Sequence, residues 1–325
     1  MSQLNGSRHQ CSYFGKFGRC KDTTESGSQL CFWHDPDVDK SGKGIKERLE
    51  ERAKTGFPME GFILRKANLD NVNLVNHDSD KPYQLIDCDL SRASLCHGHL
   101  YRVDLSGSKL LKANLSNANL HRANLDGCNL LGVNFQNCRL DRVQWGEKLY
   151  QEKKAATHPE NAIALYEEAE ETARNIRRHC ENLSMMGIAG HFYYKERVFH
   201  RLQMPKYSRQ RVVSYLVDKT SGYGESPLRV VFFSMVLIVL CSFIYLFTGV
   251  LDSNTILRFN SNAGVTQNFR YWLDCLYFSM VTFTTLGYGD LTPLGAARII
   301  SAAEAFTGSF SVAFFVVLFV KKMIR

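Results

Sequence analysis

Three cysteines and a histidine near the N-terminus carry the clearest ligand chemistry in the chain. They are spaced Cys11-x8-Cys20-x10-Cys31-x2-His34. Four soft donors, the last two on one turn, make the set for a closed tetrahedral zinc site. Gly15, Gly18 and Gly27 lie among them with few core-forming residues, so the segment is expected to need its metal to fold. Far downstream, Thr285-Leu286-Gly287-Tyr288-Gly289-Asp290 offers backbone chemistry instead. Glycine at alternate positions lets successive carbonyls point the same way, in conformations other residues adopt only at a cost. Glu304 is a lone carboxylate inside an apolar run, expensive there and by default a functional residue. No triad, nucleotide loop or metallohydrolase constellation is present, and the chain is read as not an enzyme.

The elements that must position these groups follow from hydropathy. Residues 231–250 form 20 uncharged residues, and 299–320 form 22 interrupted only by Glu304. At ~1.5 Å per residue each covers a ~30 Å bilayer core. Between them, 275–289 is uncharged but 15 residues long, which suits a re-entrant element buried in protein or lining a water path. Lys206, Arg209, Arg211, Lys219 and Arg229 precede the first run, and Lys321, Lys322 and Arg325 follow the second. The positive-inside rule then puts both termini in the cytoplasm, in a multi-pass protein of the plasma (inner) membrane, with membrane lipid as a partner. The polar first ten residues do not read as a secretory signal, so the ten cysteines read as thiols or ligands, not disulfides.

Two spans around the stretch from Thr282 to Asp290 resemble the two-helix potassium channels, whose filter reads T-x-G-Y-G followed by Asp. The resemblance implies a homotetramer in which Thr285, Leu286, Gly287, Tyr288 and Gly289 replace the hydration shell of K+, the transported ion, with rings of carbonyls. By the same resemblance the Thr285 hydroxyl adds the innermost ring and Tyr288 braces the filter from outside. Trp272 to Thr284 would be the pore helix, with Asp274 in its first turn as cap. Val281 stands where some members hold a supporting carboxylate. A Tyr277–Asp290 hydrogen bond is the expected substitute. Glu304 is expected either to support the filter by bonding the back of the pore helix at Thr282 or Thr284, as a protonated acid, or to be a structural carboxyl between subunits. Gly308 aligns with the hinge glycine, and Val312, Val316 and Val320 line one helical face as a gate or as packing on the first span.

Ahead of the spans, leucine or an aromatic recurs every fifth residue from Leu85 to Trp145, and from Cys88 on the residue two places earlier is small or β-branched. Leu64, Leu69 and Leu74 keep the same period in another phase, and 77–84 interrupts it as a loop. A period of five fits neither helix nor strand and implies a solenoid. It resembles the pentapeptide-repeat family, which implies a right-handed quadrilateral β-helix with Leu inward and Cys88, Cys128 and Cys138 in the core. The Cys11–His34 segment is similar to small Cys-Cys-Cys-His zinc knots, here read as a structural cap.

The fold class is therefore a multidomain membrane protein. Residues 1–45 are a zinc knot, 46–61 a linker helix, 62–146 the β-helix, 147–227 a helical connector and 228–325 an all-α two-span pore domain. In the connector, Ala162, Leu165, Tyr166, Ala169, Ala173 and Ile176 mark one helical face. The function expected is passive potassium-selective conduction, modulated by the cytoplasmic N-terminal domains. The alternative is a partner-activated effector or non-selective cation channel with the β-helix as a protein-interaction module. A formal net charge of +8 with mixed local charge gives no reason to expect nucleic acid.

Overall fold

The structure, a computed structural model, describes residues 9–24, 28–253 and 255–323, so Gly27 and Arg325 lie outside it. It divides into two compact units, Met1–Pro205 and Lys206–Arg325.

The first unit opens with a hairpin, β1 (Phe14–Gly15) and β2 (Gly18–Arg19), followed by α1 (Ile45–Lys54). Strand β3 (Met59–Glu60) then pairs in parallel with β4 (Leu85–Ile86) and starts a solenoid. From Gln84 onward every ladder contact joins residues 20 apart, from Gln84↔Asp104 to Asn124↔Gln144. Twenty residues are four repeats of five, one per side of a squared coil. In the first coil the spacing is 26, as in Ile63↔Asp89 and Asn73↔His99. The difference, 26 − 20 = 6 residues, is extruded around 77–84. Six is one more than a repeat, which is why the leucine phase shifts there by one.

Each repeat turns a corner at the residue two after its inward leucine. Lys112, Asn117, Arg122, Asn137 and Arg142 all have φ between +54° and +59°, the left-handed region that side chains normally avoid. Asparagine before the leucine stabilises the corner: the Asn114, Asn119, Asn124, Asn129 and Asn134 side chains accept the N–H two residues on. The inward leucines from Leu64 to Leu140 are at most 2% exposed. Cys88, Cys128 and Cys138 fill the small inward slots, and the last two donate to the carbonyls of Leu105 and Leu115.

Three helices cover the far end: α2 (Tyr150–Thr157), α3 (Ala162–Asn182) and α4 (Met186–Gln203). Helix α3 buries Leu165, Ala169, Ala173 and Ile176, the face its periodicity predicts. Asn175 Nδ2 donates to the Val133 carbonyl, Gln151 to Asn129, and the Trp145 ring meets Phe192 edge-on. Buried Glu196 joins α4 to α3 by accepting from Arg174 and Arg177.

The second unit holds α5 (Arg209–Ser221), α6 (Pro227–Thr248), the hairpin β5 (Val250–Asp252) and β6 (Thr255–Leu257), α7 (Val265–Phe283), β7 (Leu291–Pro293) and α8 (Ala297–Met323). Helices α6 and α8 are long and apolar enough to cross a membrane. Helix α7 begins at Val265, capped by Gly264. Asp274 is thus mid-helix and not in the first turn, so the cap expected of it is not made. The three-stranded antiparallel sheet, order β6-β5-β7, had no signal in the sequence.

The left-handed corners make a test within one repeat. Asn117→Gly should leave stability almost unchanged, whereas Asn117→Val should cost about 1–2 kcal/mol. Thermal unfolding of the two variants separates the outcomes.

Candidate functional site

The segment after α7 owes its shape to alternating backbone handedness. Thr285, Gly287 and Gly289 have φ of +58°, +57° and +80°, while Leu286 and Tyr288 stay on the negative side. A backbone that alternates in handedness is able to turn successive carbonyls to one side, as a cation-coordinating segment requires. Among the described residues Thr285 is the one β-branched residue at positive φ, a strain of about 1–3 kcal/mol that surrounding contacts must offset. The Thr285 and Leu286 amides donate to the carbonyls of Thr282 and Val281, both 3.0 Å away. On the other side, Tyr277 of α7 lies close to the Asp290 carboxylate. Residues 284–290 are exposed in the single chain.

Glu304 of α8 is 3% exposed. Its carboxyl meets the Tyr245 hydroxyl of α6 at 2.6 Å and the Ser279 hydroxyl of α7 at 2.5 Å, with the Cys241 thiol of α6 close by. The expected partners Thr282 and Thr284 are not used: the Thr284 hydroxyl donates to the Met280 carbonyl at 2.7 Å. Gly308 lies where α8 touches the end of α7. A Cβ there would stand 2.0 Å from the Phe283 carbonyl oxygen, so only glycine permits the approach. Val312, Val316 and Val320 are 46–51% exposed in the single chain.

In the first unit Cys11, Cys20, Cys31 and His34 converge, with all four ligand atoms within 4.8 Å of one another. A tetrahedral zinc with Zn–S ~2.3 Å and Zn–N ~2.0–2.1 Å needs edges of roughly 3.8 Å between sulfurs and roughly 3.6 Å from sulfur to nitrogen. Cys20 and Cys31 sulfurs are 3.9 Å apart, and His34 Nδ1 is 3.6 Å from Cys11 Sγ and 3.1 Å from Cys31 Sγ. His34 Nε2 donates to the Glu60 carbonyl at 2.8 Å, which leaves Nδ1 free to ligate. Tyr13 stacks on the imidazole at 3.9 Å between ring centres. Burial pushes the Cys20 and Cys31 thiols up and the imidazole down. A bound dication offsets the first shift and accepts the second, because it takes thiolates and neutral imidazole. The donor set fits a metal.

Residues 232–325 match the family described as "Ion channel". The second unit carries an ion-channel domain. Pentapeptide repeats, in eight copies, match 84–121 and 113–144. The chain is 40% identical over 81 residues to "Two pore potassium channel a" of Oryza sativa subsp. japonica, covering 25% of this chain but 22% of that relative's length. Among solved structures it is similar to the pentapeptide repeat protein Rfr23 of the cyanobacterium Cyanothece 51142 (25% identical, 29% of this chain and 87% of that one, TM-score 0.18). It is also similar to a pentapeptide repeat protein of the Arabidopsis thaliana thylakoid lumen (19% identical, 29% and 64%, TM-score 0.16).

Within the channel domain, the sequence reading missed Ser279, Tyr245 and Cys241. Ser279 lies four residues after Cys275, on the same buried face of α7. A hydroxyl on an apolar helical face facing a lone carboxylate was the available signal. Trp272 was also missed as a tie: its indole N–H donates to Ser242 of α6 at 3.1 Å.

Gly308→Ala separates close packing from hinging in the channel domain. Packing against Phe283 predicts a loss of about 1–3 kcal/mol from the clash. A glycine serving only as a hinge would instead gain up to about 1 kcal/mol from helix propensity. The melting temperature of the purified protein in detergent reads the sign.

Proposed function

We propose that the chain is one subunit of a homotetrameric, potassium-selective channel, conducting K+ passively through rings of carbonyls from Thr285 to Gly289. The observation that carries this reading is the alternating handedness at Thr285, Gly287 and Gly289, between two helices of membrane-spanning length. A lone set of aligned carbonyls cannot encircle an ion. Fourfold repetition around an axis supplies the missing oxygens and gives the exposed Thr285–Gly289 backbone its neighbours. Tyr277 and Asp290 hold the outer end. Val312, Val316 and Val320 line the inner path, where an apolar ring gates by dewetting.

The domain acts by conduction, not catalysis. Its place is the plasma (inner) membrane, with both termini in the cytoplasm and Arg209, Arg211 and Lys219 at the lipid headgroups. Exposed Val212, Val213 and Leu216 on the same helix α5 support an interfacial setting. The first unit is read as the modulating assembly, its β-helix faces open to a protein partner. Cys11, Cys20, Cys31 and His34 hold a structural zinc at its N-terminal end. Nothing in this reading calls for nucleic acid.

The deciding measurement is the reversal potential in planar bilayers with potassium on one side and sodium on the other. The expected value lies near the potassium limit and collapses in Gly287→Ala or Gly289→Ala. Current with a potential near zero would mean a non-selective cation pore. Zinc has its own check: elemental analysis should find one zinc per chain, and Cys31→Ser should lose it and lower the melting temperature.

A further inference from the structure

Ser279 of α7 stands between two oxygen atoms that belong to the flanking helices. Its hydroxyl is 2.9 Å from the Ile238 carbonyl of α6 and 2.5 Å from Glu304 Oε1 of α8. A hydroxyl carries one proton, and a carbonyl can only accept. If Glu304 were an ionised carboxylate, it too could only accept, and one of these two contacts would hold oxygens together with no proton between them. A neutral acid removes the conflict. Glu304 Oε1–H then donates to Ser279, Ser279 donates to the Ile238 carbonyl, and the Tyr245 hydroxyl donates to Glu304 Oε2 at 2.6 Å. Three contacts are matched by three protons.

The surroundings agree. The groups that bond Glu304 are Tyr245 from α6 and Ser279 from α7, with the Cys241 thiol of α6 close by, none of them a cation. On α7, Asp274 lies five residues before Ser279 and adds no positive charge. On α8, Arg298 is six residues away, ~9 Å along the helix, and its Nε donates to the Pro293 carbonyl. Among the described residues no cation pairs with Glu304; a carboxylate this deeply buried without a counter-ion is among the costliest states a side chain can hold, and such groups neutralise instead.

We propose that Glu304 is a neutral carboxylic acid that positions the carbonyl segment by joining α6, α7 and α8 through Ser279. The inference rests on the channel reading above and adds how its filter is held. Ser279 sits six residues before Thr285 on the helix that leads into it, so loosening this joint loosens the filter. Raising the pH until Glu304 ionises removes the proton donated to Ser279 and leaves a bare charge between three helices. Selective conduction should then fall reversibly with alkali.

The test combines infrared spectroscopy and potassium flux on the full-length protein in vesicles. The wild type should show a carboxylic-acid C=O band at neutral pH that disappears in Glu304→Gln and, on alkaline titration, fades in parallel with flux. Glu304→Gln, whose amide still donates to Ser279 and accepts from Tyr245, should keep K+/Na+ selectivity and lose the alkaline fall. Glu304→Leu, similar in size but without polar atoms, should lower selectivity by about tenfold, the equivalent of one net hydrogen bond. In Ser279→Ala the acid band should persist but move to higher frequency, since the acid has lost its acceptor. Absence of the band, an unshifted band in Ser279→Ala, or loss of selectivity in Glu304→Gln while the wild type stays selective would each overturn the proposal. A wild type that shows the band but conducts without selectivity would count against the channel reading and leave the neutral acid standing.

Discussion

Carbonyls aligned along one side of a chain cannot bond one another, and the amides between them are turned away as well. The segment from Thr285 to Gly289 therefore gives up the hydrogen-bond ladder that stabilises ordinary secondary structure, and neighbours must impose its shape. Much of the second unit can be read as meeting that demand. At the inner end the Thr285 and Leu286 amides bond back to the last turn of α7. At the outer end Tyr277 lies close to Asp290, and the next three residues pair as β7 with β5. Behind, α8 comes close enough at Gly308 to press on the Phe283 carbonyl, and Glu304 joins it to the other two helices. Strain at Thr285 persists because these contacts over-determine it.

The first unit solves the opposite problem. Its backbone ladder is complete along the coils, but a solenoid cannot end without exposing its leucine core and a row of unpaired backbone groups. The Cys11–His34 knot covers the N-terminal end, where the Trp33 carbonyl accepts from Ile63 and the Trp33 ring stacks on Phe62. Helices α2 to α4 cover the other end with Gln151, Asn175 and the Trp145–Phe192 contact. His34 serves both purposes: Nδ1 faces the cysteines and Nε2 holds β3 through Glu60. Metal affinity and capping thus share one side chain.

What could be read from the sequence divides along the same line. Where one residue type recurs at a fixed period, as with the leucines from Leu85 to Leu140, geometry follows from counting. Even the phase shift between Leu74 and Leu85 was visible, although its size made sense only once the ladder spacing of 26 was known. The four soft ligands were legible because few other arrangements explain them. The polar joint between α6, α7 and α8 was not, because Tyr245, Ser279 and Glu304 lie on three helices whose rotation about their axes no local pattern sets. Strands of three residues such as β5 and β7 carry no alternation long enough to detect. The early start of α7 escaped notice because its first residues, 265–270, are mostly exposed and are tied locally, through Asn268 to Asn260 and Ala263, so no apolar pattern extends ahead of Trp272.

The ladder spacing of 20 makes the first unit a spacer with quantised length. Whole coils can be inserted or removed without altering either end, because the leucine phase and all four faces return after each turn. Each coil adds one strand-to-strand step of about 4.8 Å. The separation between the knot and helices α2 to α4 can therefore change only in steps of that size. Loops such as 77–84 can vary in length on the outside, at the cost of a local phase shift and nothing else. A protein built this way has a ruler between its two ends, graduated in its own sequence.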